Sequence, residues 1–156
     1  MITLLRPGHD PLAIDSILID FEGTLALDGR VHPKVKDKLN LLAKRARIYI
    51  LTEEKKEKVE EVLRKVKAEI VWLSEGQGSQ EKSRWLDQVG PDRTVAIGNG
   101  LDDAEILDKA ALGLAILSKE GTVVSTLTQA DLLFPSLLDA LDFLLKPLRQ
   151  KATLKR

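Results

Sequence analysis

Asp20 ends the apolar run ILID and is followed, after Phe21, by Glu22, Gly23 and Thr24. In open α/β sheets ligands bind in the crevice outside the carboxyl ends of the strands, so a carboxylate there is placed for chemistry rather than for packing. Gly23 lets the backbone turn sharply and approach a ligand, and Thr24 offers a hydroxyl and an N–H to an anion. Taken alone, the segment also reads as an acid and a glycine closing a strand. Three further elements follow in order along the chain: Thr52 after RIYIL, Lys82 in EKSRW, and the loop GNGLDD at 98–103.

The elements that must position these residues alternate. Residues 12–21 read as the strand that delivers Asp20, after a short apolar start and a turn at Pro7-Gly8. Residues 26–32 read as a polar loop, and Pro33 opens a helix with Val35, Leu39 and Leu42 at helical spacing. Strand 47–51 precedes Thr52, and a charged helix follows with Val59, Val62, Leu63 and Val66 on one stripe. Strands at 69–73, 94–98, 112–117 and 131–134 alternate with helices near 81–89 and 102–110. A last helix carries Leu137, Leu138, Leu141, Leu144 and Leu145 on its core face. This alternation predicts a three-layer α/β sandwich around a mostly parallel, Rossmann-like sheet, in a single domain spanning 1–156. Thr52, Lys82 and GNGLDD then share one sheet edge with Asp20. The residues from 146 onward form a basic tail, read as a solvated end.

Composition narrows the function. The chain has 156 residues, is 44% hydrophobic and contains no cysteine, which removes disulfides and thiolate metal sites. Lysine plus arginine and aspartate plus glutamate each total 24, so no global charge draws nucleic acid or a membrane surface. Without a signal peptide or an apolar run long enough to span a bilayer, a cytoplasmic protein is expected.

The ordered set of Asp20 with Glu22, Thr52, Lys82 and GNGLDD resembles the four motifs of the haloacid dehalogenase superfamily, over roughly residues 15–117. Within it the chain is most similar to the small soluble P-type ATPase-like proteins, whose GDG-x-x-D loop is like GNGLDD. The resemblance implies a magnesium-dependent phosphomonoester hydrolase acting through an aspartyl-phosphate on Asp20, with a phosphorylated substrate. In that scheme Glu22 is the general acid and base, and Gly23, Thr24, Thr52 and Lys82 bind the phosphoryl group. Asp20, the Glu22 carbonyl, Asn99 and Asp103 hold Mg²⁺. The chemistry agrees: such a transfer needs an unhindered carboxylate, a divalent cation and donors around the equatorial oxygens. Taken singly, Thr52 also reads as a strand-end residue, Lys82 as a solvated helix lysine, and Asp102 as a helix N-cap.

Two departures qualify the resemblance. Glu22 stands where most phosphatases of the superfamily have Asp, one methylene further out, so acid–base chemistry requires an adjustment of backbone or substrate. Asn99 stands where the P-type-like loop has a metal-binding Asp. A unit charge pair about 4 Å apart is worth about 4 kcal/mol at an effective dielectric of about 20 before desolvation, so weaker magnesium binding is expected unless Asp102 takes the vacant role. Those departures support a rival reading, a catalytically weak relative serving as a phosphate-sensing or partner-binding module. There is no room for a sizeable cap domain, which suits a large substrate, or a small one enclosed by a neighbouring subunit of a homo-oligomer.

Overall fold

The computed structural model describes residues 1–155. In chain order the strands and helices are β1 (Ile2–Leu4), β2 (Leu12–Ile14), β3 (Ser16–Asp20), α1 (Pro33–Leu42), β4 (Arg47–Thr52), α2 (Lys56–Val62), β5 (Glu69–Trp72), α3 (Gly78–Val89), β6 (Thr94–Gly98), α4 (Ala104–Lys109), β7 (Leu112–Ile116), α5 (Val124–Leu127), β8 (Leu132–Phe134), α6 (Leu137–Leu145) and α7 (Pro147–Leu154). Six strands form one parallel sheet in the order β5-β4-β3-β6-β7-β8. The chain winds outward in one direction from β3 to β5, and the order reverses between β3 and β6. That reversal opens the crevice into which the end of β3 and the loop after β6 both project.

Strand alternation divides the core into two layers. Ile17 and Ile19 of β3 pack with Val35, Leu39 and Leu42 of α1, Val59 of α2 and the leucines of α6. Leu18 faces the other way, against Leu86 of α3 and Ile106 and Leu107 of α4. Helices thus cover both faces, as the sequence predicts. All five residues of β3 are buried.

Several boundaries differ from the sequence expectation for physical reasons. The strand expected over 12–21 breaks at Asp15, because β1 pairs antiparallel with β2 in a separate two-stranded sheet while β3 joins the main one. The charged helix stops at Val62 and does not reach Val66. Lys65 is left-handed (φ 66), and the Asn40 amide accepts the Lys67 N–H and donates to the Lys65 carbonyl in place of helical partners. Residues 26–32 are not an unstructured loop. Leu27 and Arg30 exchange backbone hydrogen bonds of 2.9 and 3.0 Å around Asp28-Gly29, both at positive φ, which makes a tight hairpin. Helix α3 begins at Gly78 rather than near 81, the short α5 was not expected, and a 3₁₀ turn at Leu101–Asp103 precedes α4.

The basic tail keeps Lys146, Arg149, Lys151 and Lys155 exposed, as expected of a solvated end, but it is ordered. It folds as α7, and its buried Gln150 donates to the Phe143 and Leu144 carbonyls at 3.0 and 3.2 Å. Among the described residues no helix is long and apolar enough to cross a membrane, and only residues 21–32 separate β3 from α1, with no inserted cap.

Gly113 in β7 lets α4 lie against the sheet, since a Cβ there would stand 2.0 Å from the Leu107 carbonyl oxygen. Backbone cannot yield as a side chain does, so Gly113→Ala is expected to lower stability by about 1–3 kcal/mol. Urea unfolding followed by circular dichroism checks it, and an unchanged midpoint contradicts the tight approach.

Candidate active site

Asp20 closes β3, and its carboxylate meets the side chain of Lys82, which reaches in from the second turn of α3. The Lys82 ammonium donates to Asp20 Oδ1 and Asp103 Oδ1, both at 2.8 Å, and forms an ion pair with Asp102 Oδ2 at 2.9 Å. At 1% exposure Lys82 is not a solvated helix lysine. Asp103 rather than Asp102 is the N-cap residue of α4, and its Oδ2, instead of capping the helix, accepts the preceding N–H groups of Asn99 and Gly100, both at 3.0 Å. Gly98 makes this possible: a Cβ there would lie 2.4 Å from the Asp103 carboxylate.

Thr24 and Asn99 lie on the other side of Asp20. The Thr24 hydroxyl donates to Asn99 Oδ1 at 2.9 Å and stands 3.3 Å from Asp20 Oδ2. Asn99 Nδ2 donates to the Gly121 carbonyl at 2.9 Å. Gly23 has φ +78, and a Cβ on it would meet Asn99 Nδ2 at 2.7 Å, so the turn and the close approach both require glycine. The Thr52 hydroxyl, at the end of β4, donates to Glu22 Oε1 at 2.5 Å and accepts the Glu54 N–H at 3.0 Å. The structure therefore brings Asp20, Glu22, Gly23, Thr24, Thr52, Lys82, Asn99, Asp102 and Asp103 to one sheet edge.

Above Asp20 opens a cavity of about 420 Å³, lined by the acids Asp20, Glu22, Glu53, Glu54, Asp102 and Glu120 with Gly23, Leu73, Asn99 and Gly100. The sequence reading missed Glu53, Glu54 and Glu120. Glu53 and Glu54 directly follow Thr52 at the same edge, which was signal enough; nothing in the sequence marks Glu120. Glu120 also accepts the Asp28 N–H at 2.9 Å, tying the hairpin after β3 to the loop after β7.

Burial raises the pKa of Asp20 well above its ordinary value, and the neighbouring Asp103 charge raises it further, against the opposing pull of Lys82. Burial alone would lower the Lys82 pKa, but Asp20, Asp103 and Asp102 together outweigh it and hold the ammonium protonated. One cation facing three carboxylates leaves the cluster short of positive charge. The donor set suits a hard divalent cation: one oxygen each from Asp20, Asp102 and Asp103 lies within 4.8 Å of the others.

No protein-family model matches the chain. Solved structures show that the chain has the haloacid dehalogenase fold: a structure described as a putative HAD superfamily hydrolase of Legionella pneumophila superposes with a TM-score of 0.72 at 18% identity, over 90% of this chain and 86% of that one. The 3-deoxy-D-manno-octulosonate 8-phosphate phosphatase of Moraxella catarrhalis, in complex with magnesium, phosphate and KDO, superposes with a TM-score of 0.72 at 14% identity, over 90% of this chain and 89% of that one. The cobalt-bound deoxy-D-mannose-octulosonate 8-phosphate phosphatase of Haemophilus influenzae gives 0.72 at 12% identity, over 90% and 91%. In sequence the chain is similar to two uncharacterized proteins of Methanocaldococcus jannaschii. MJ0073 is 39% identical over 61 residues, 39% of this chain and 66% of that protein, just under two thirds of its length. MJ0072 is 50% identical over 36 residues, 23% of this chain and 82% of that protein, and this chain belongs to the same family as MJ0072.

The raised pKa of Asp20 has a consequence for stability. A carboxyl group whose folded pKa exceeds its unfolded value binds more protons folded than unfolded, so its ionisation costs stability as pH rises above the ordinary range. In metal-free buffer at neutral pH, Asp20→Asn is expected to melt at a higher temperature than wild type. The gain should shrink as pH falls toward the ordinary aspartate value of 3.8 and be absent below it. Melting curves across pH 3–8 with chelator check it; a variant less stable at neutral pH contradicts the charge imbalance.

Proposed function

We propose that this protein is a magnesium-dependent phosphomonoester hydrolase that works through an aspartyl-phosphate on Asp20. The observation that carries the reading is the buried Asp20 carboxylate, paired with Lys82 and facing a cavity at the reversal of strand order. The phosphatase names of the superposed structures agree with it.

Lys82 holds Asp20 Oδ1, leaving Oδ2, with only the longer Thr24 contact, to attack phosphorus. As the bond from Oδ2 to phosphorus forms, the ester bond on the opposite side breaks, and the leaving oxygen takes a proton from the Glu22 carboxyl. The Thr52 hydroxyl has one proton, which Glu22 accepts in this structure. For that proton to reach a phosphoryl oxygen, Glu22 must turn toward the leaving group, and its longer side chain gives it that reach. Lys82 offsets charge on the transferred group. Glu22, now a carboxylate, then takes a proton from water, which attacks phosphorus, releases phosphate and restores Asp20. Magnesium, when bound, supplies the charge that lets a phosphate enter a cavity lined by acids; the Asp20 carboxylate, the Glu22 carbonyl and the 98–103 loop would hold it.

The test is rapid-quench labelling with radiolabelled acetyl phosphate. Wild type is expected to show acid-stable, hydroxylamine-sensitive label and steady turnover. Asp20→Asn should lose both, with activity down by about a thousandfold or more and its circular dichroism unchanged. Activity within a few-fold of wild type sinks the assignment. Absence of turnover in wild type favours the rival reading, a phosphate-sensing or partner-binding module, which the amide at Asn99 supports.

Glu22 has its own readout. Glu22→Thr is expected to slow dephosphorylation by about 10²–10⁴-fold, more than phosphorylation when the leaving group is as good as acetate, so that labelled protein accumulates. Equal steady-state label and equal turnover in the two proteins would remove Glu22 from acid–base chemistry.

A further inference from the structure

Asn99 occupies the loop position where a metal-binding acid was expected, yet all its polar groups are engaged within the protein. Its amide oxygen accepts from Thr24 and its amide nitrogen donates to the Gly121 carbonyl, each at 2.9 Å. Its backbone N–H goes to Asp103, and its carbonyl accepts the Val123 N–H at 3.0 Å. A carboxylate could not donate to Gly121; an amide can. Asn99 therefore straps the turn after β3 to the loop at 118–123.

Asp102 differs on each count. It lies three residues further on in the 3₁₀ turn, its side chain is 41% exposed and it lines the cavity. Among the described residues its carboxylate has one charged partner, Lys82 through Oδ2, and Oδ1 has none. Two glycines leave it space: a Cβ on Gly78 would stand 2.8 Å from Oδ2, and one on Gly100 3.1 Å from Oδ1. Asp103, by contrast, is fully buried, with one oxygen on Lys82 and the other on two backbone N–H groups.

We infer that Asp102, rather than Asn99, supplies the loop's carboxylate to the divalent cation beside Asp20, while Asn99 is a positioning residue that holds the 118–123 loop and Asp103 anchors Lys82. The inference rests on the magnesium requirement of the proposed phosphatase. It relocates the loop's metal-binding acid by three residues along the chain, with the pairing of Asp102 and Lys82 as the arrangement a cation must open.

The test reads metal binding directly, by electron spin resonance titration of the full chain with Mn²⁺ and by calorimetry with Mg²⁺. Wild type is expected to bind one ion. Asp102→Asn should weaken binding about tenfold or more, whereas Asn99→Ala stays within about threefold of wild type. Glu120→Gln removes the same charge from the cavity wall but keeps an acceptor for the Asp28 N–H, and should also stay within about threefold. Hydrogen exchange over 118–123 should accelerate in both Asn99→Ala and Asn99→Asp, because both lose the donor to Gly121. Asp102→Asn binding as wild type does, Asn99→Ala losing as much as Asp102→Asn, or Glu120→Gln matching Asp102→Asn would each overturn the inference. So would Asn99→Asp binding more than about tenfold tighter than wild type. A wild-type protein that binds no Mn²⁺ overturns it as well, and acetyl phosphate labelling then still decides whether Asp20 is the nucleophile.

Discussion

The Lys82 ammonium has no water to hydrate it, and three carboxylates take the place of water. An unpaired buried ammonium would cost several kcal/mol, so the folded state holds Lys82 only because Asp20, Asp102 and Asp103 converge on it from β3 and from the turn after β6. The reverse also holds: three acids could not gather at one sheet edge without a cation among them. Lys82 thereby links helix α3, the turn at Leu101–Asp103 and the end of β3, adding to the packing of Leu18, Leu86 and Ile106 beneath. Whatever enters the cavity meets an arrangement already charged and already tense with like charges.

The sheet sets where this convergence happens. Because strand order reverses between β3 and β6, the segments leaving these strands separate and their first residues stand side by side. Gly23 lets the Asn99 amide, and Gly98 the Asp103 carboxylate, come closer to the backbone than any Cβ would allow. Positioning is therefore a backbone matter first, with side chains fitted into the room that glycines leave.

Much of this was readable from residue types and spacing. Strands β3, β4, β6 and β7 are continuous apolar runs because both faces of the sheet are covered, and such runs announce themselves. Asp20, Thr52 and Lys82 stood out by their order. What escaped the sequence depended on tertiary partners: the break at Asp15 follows from β1 claiming β2, and the end of α2 from the Asn40 side chain 25 residues away from Lys65. The hairpin at Asp28-Gly29 does carry a local signal, the Asp-Gly dipeptide. Residue type does not separate Asn99, Asp102 and Asp103, because their surroundings depend on the Thr24 hydroxyl, the Gly121 carbonyl and the backbone N–H groups of the loop.

Gln150 carries a consequence for the far side of the molecule. Its amide nitrogen closes the end of α6, while its amide oxygen accepts the Leu5 N–H at 3.4 Å, just beyond β1. The antiparallel ribbon of β1 and β2 lies outside the main sheet, and α7 lies beyond its last helix, so neither has the sheet's own ladder to hold it. One glutamine joins the two peripheral elements into a clasp. Fraying of the ribbon leaves a buried amide oxygen without its donor, and departure of α7 strips a bond from the ribbon. The ends of β1 and α7 are thereby coupled through one buried side chain, although Ile2, Leu4 and Ile14 also anchor the ribbon in the main core.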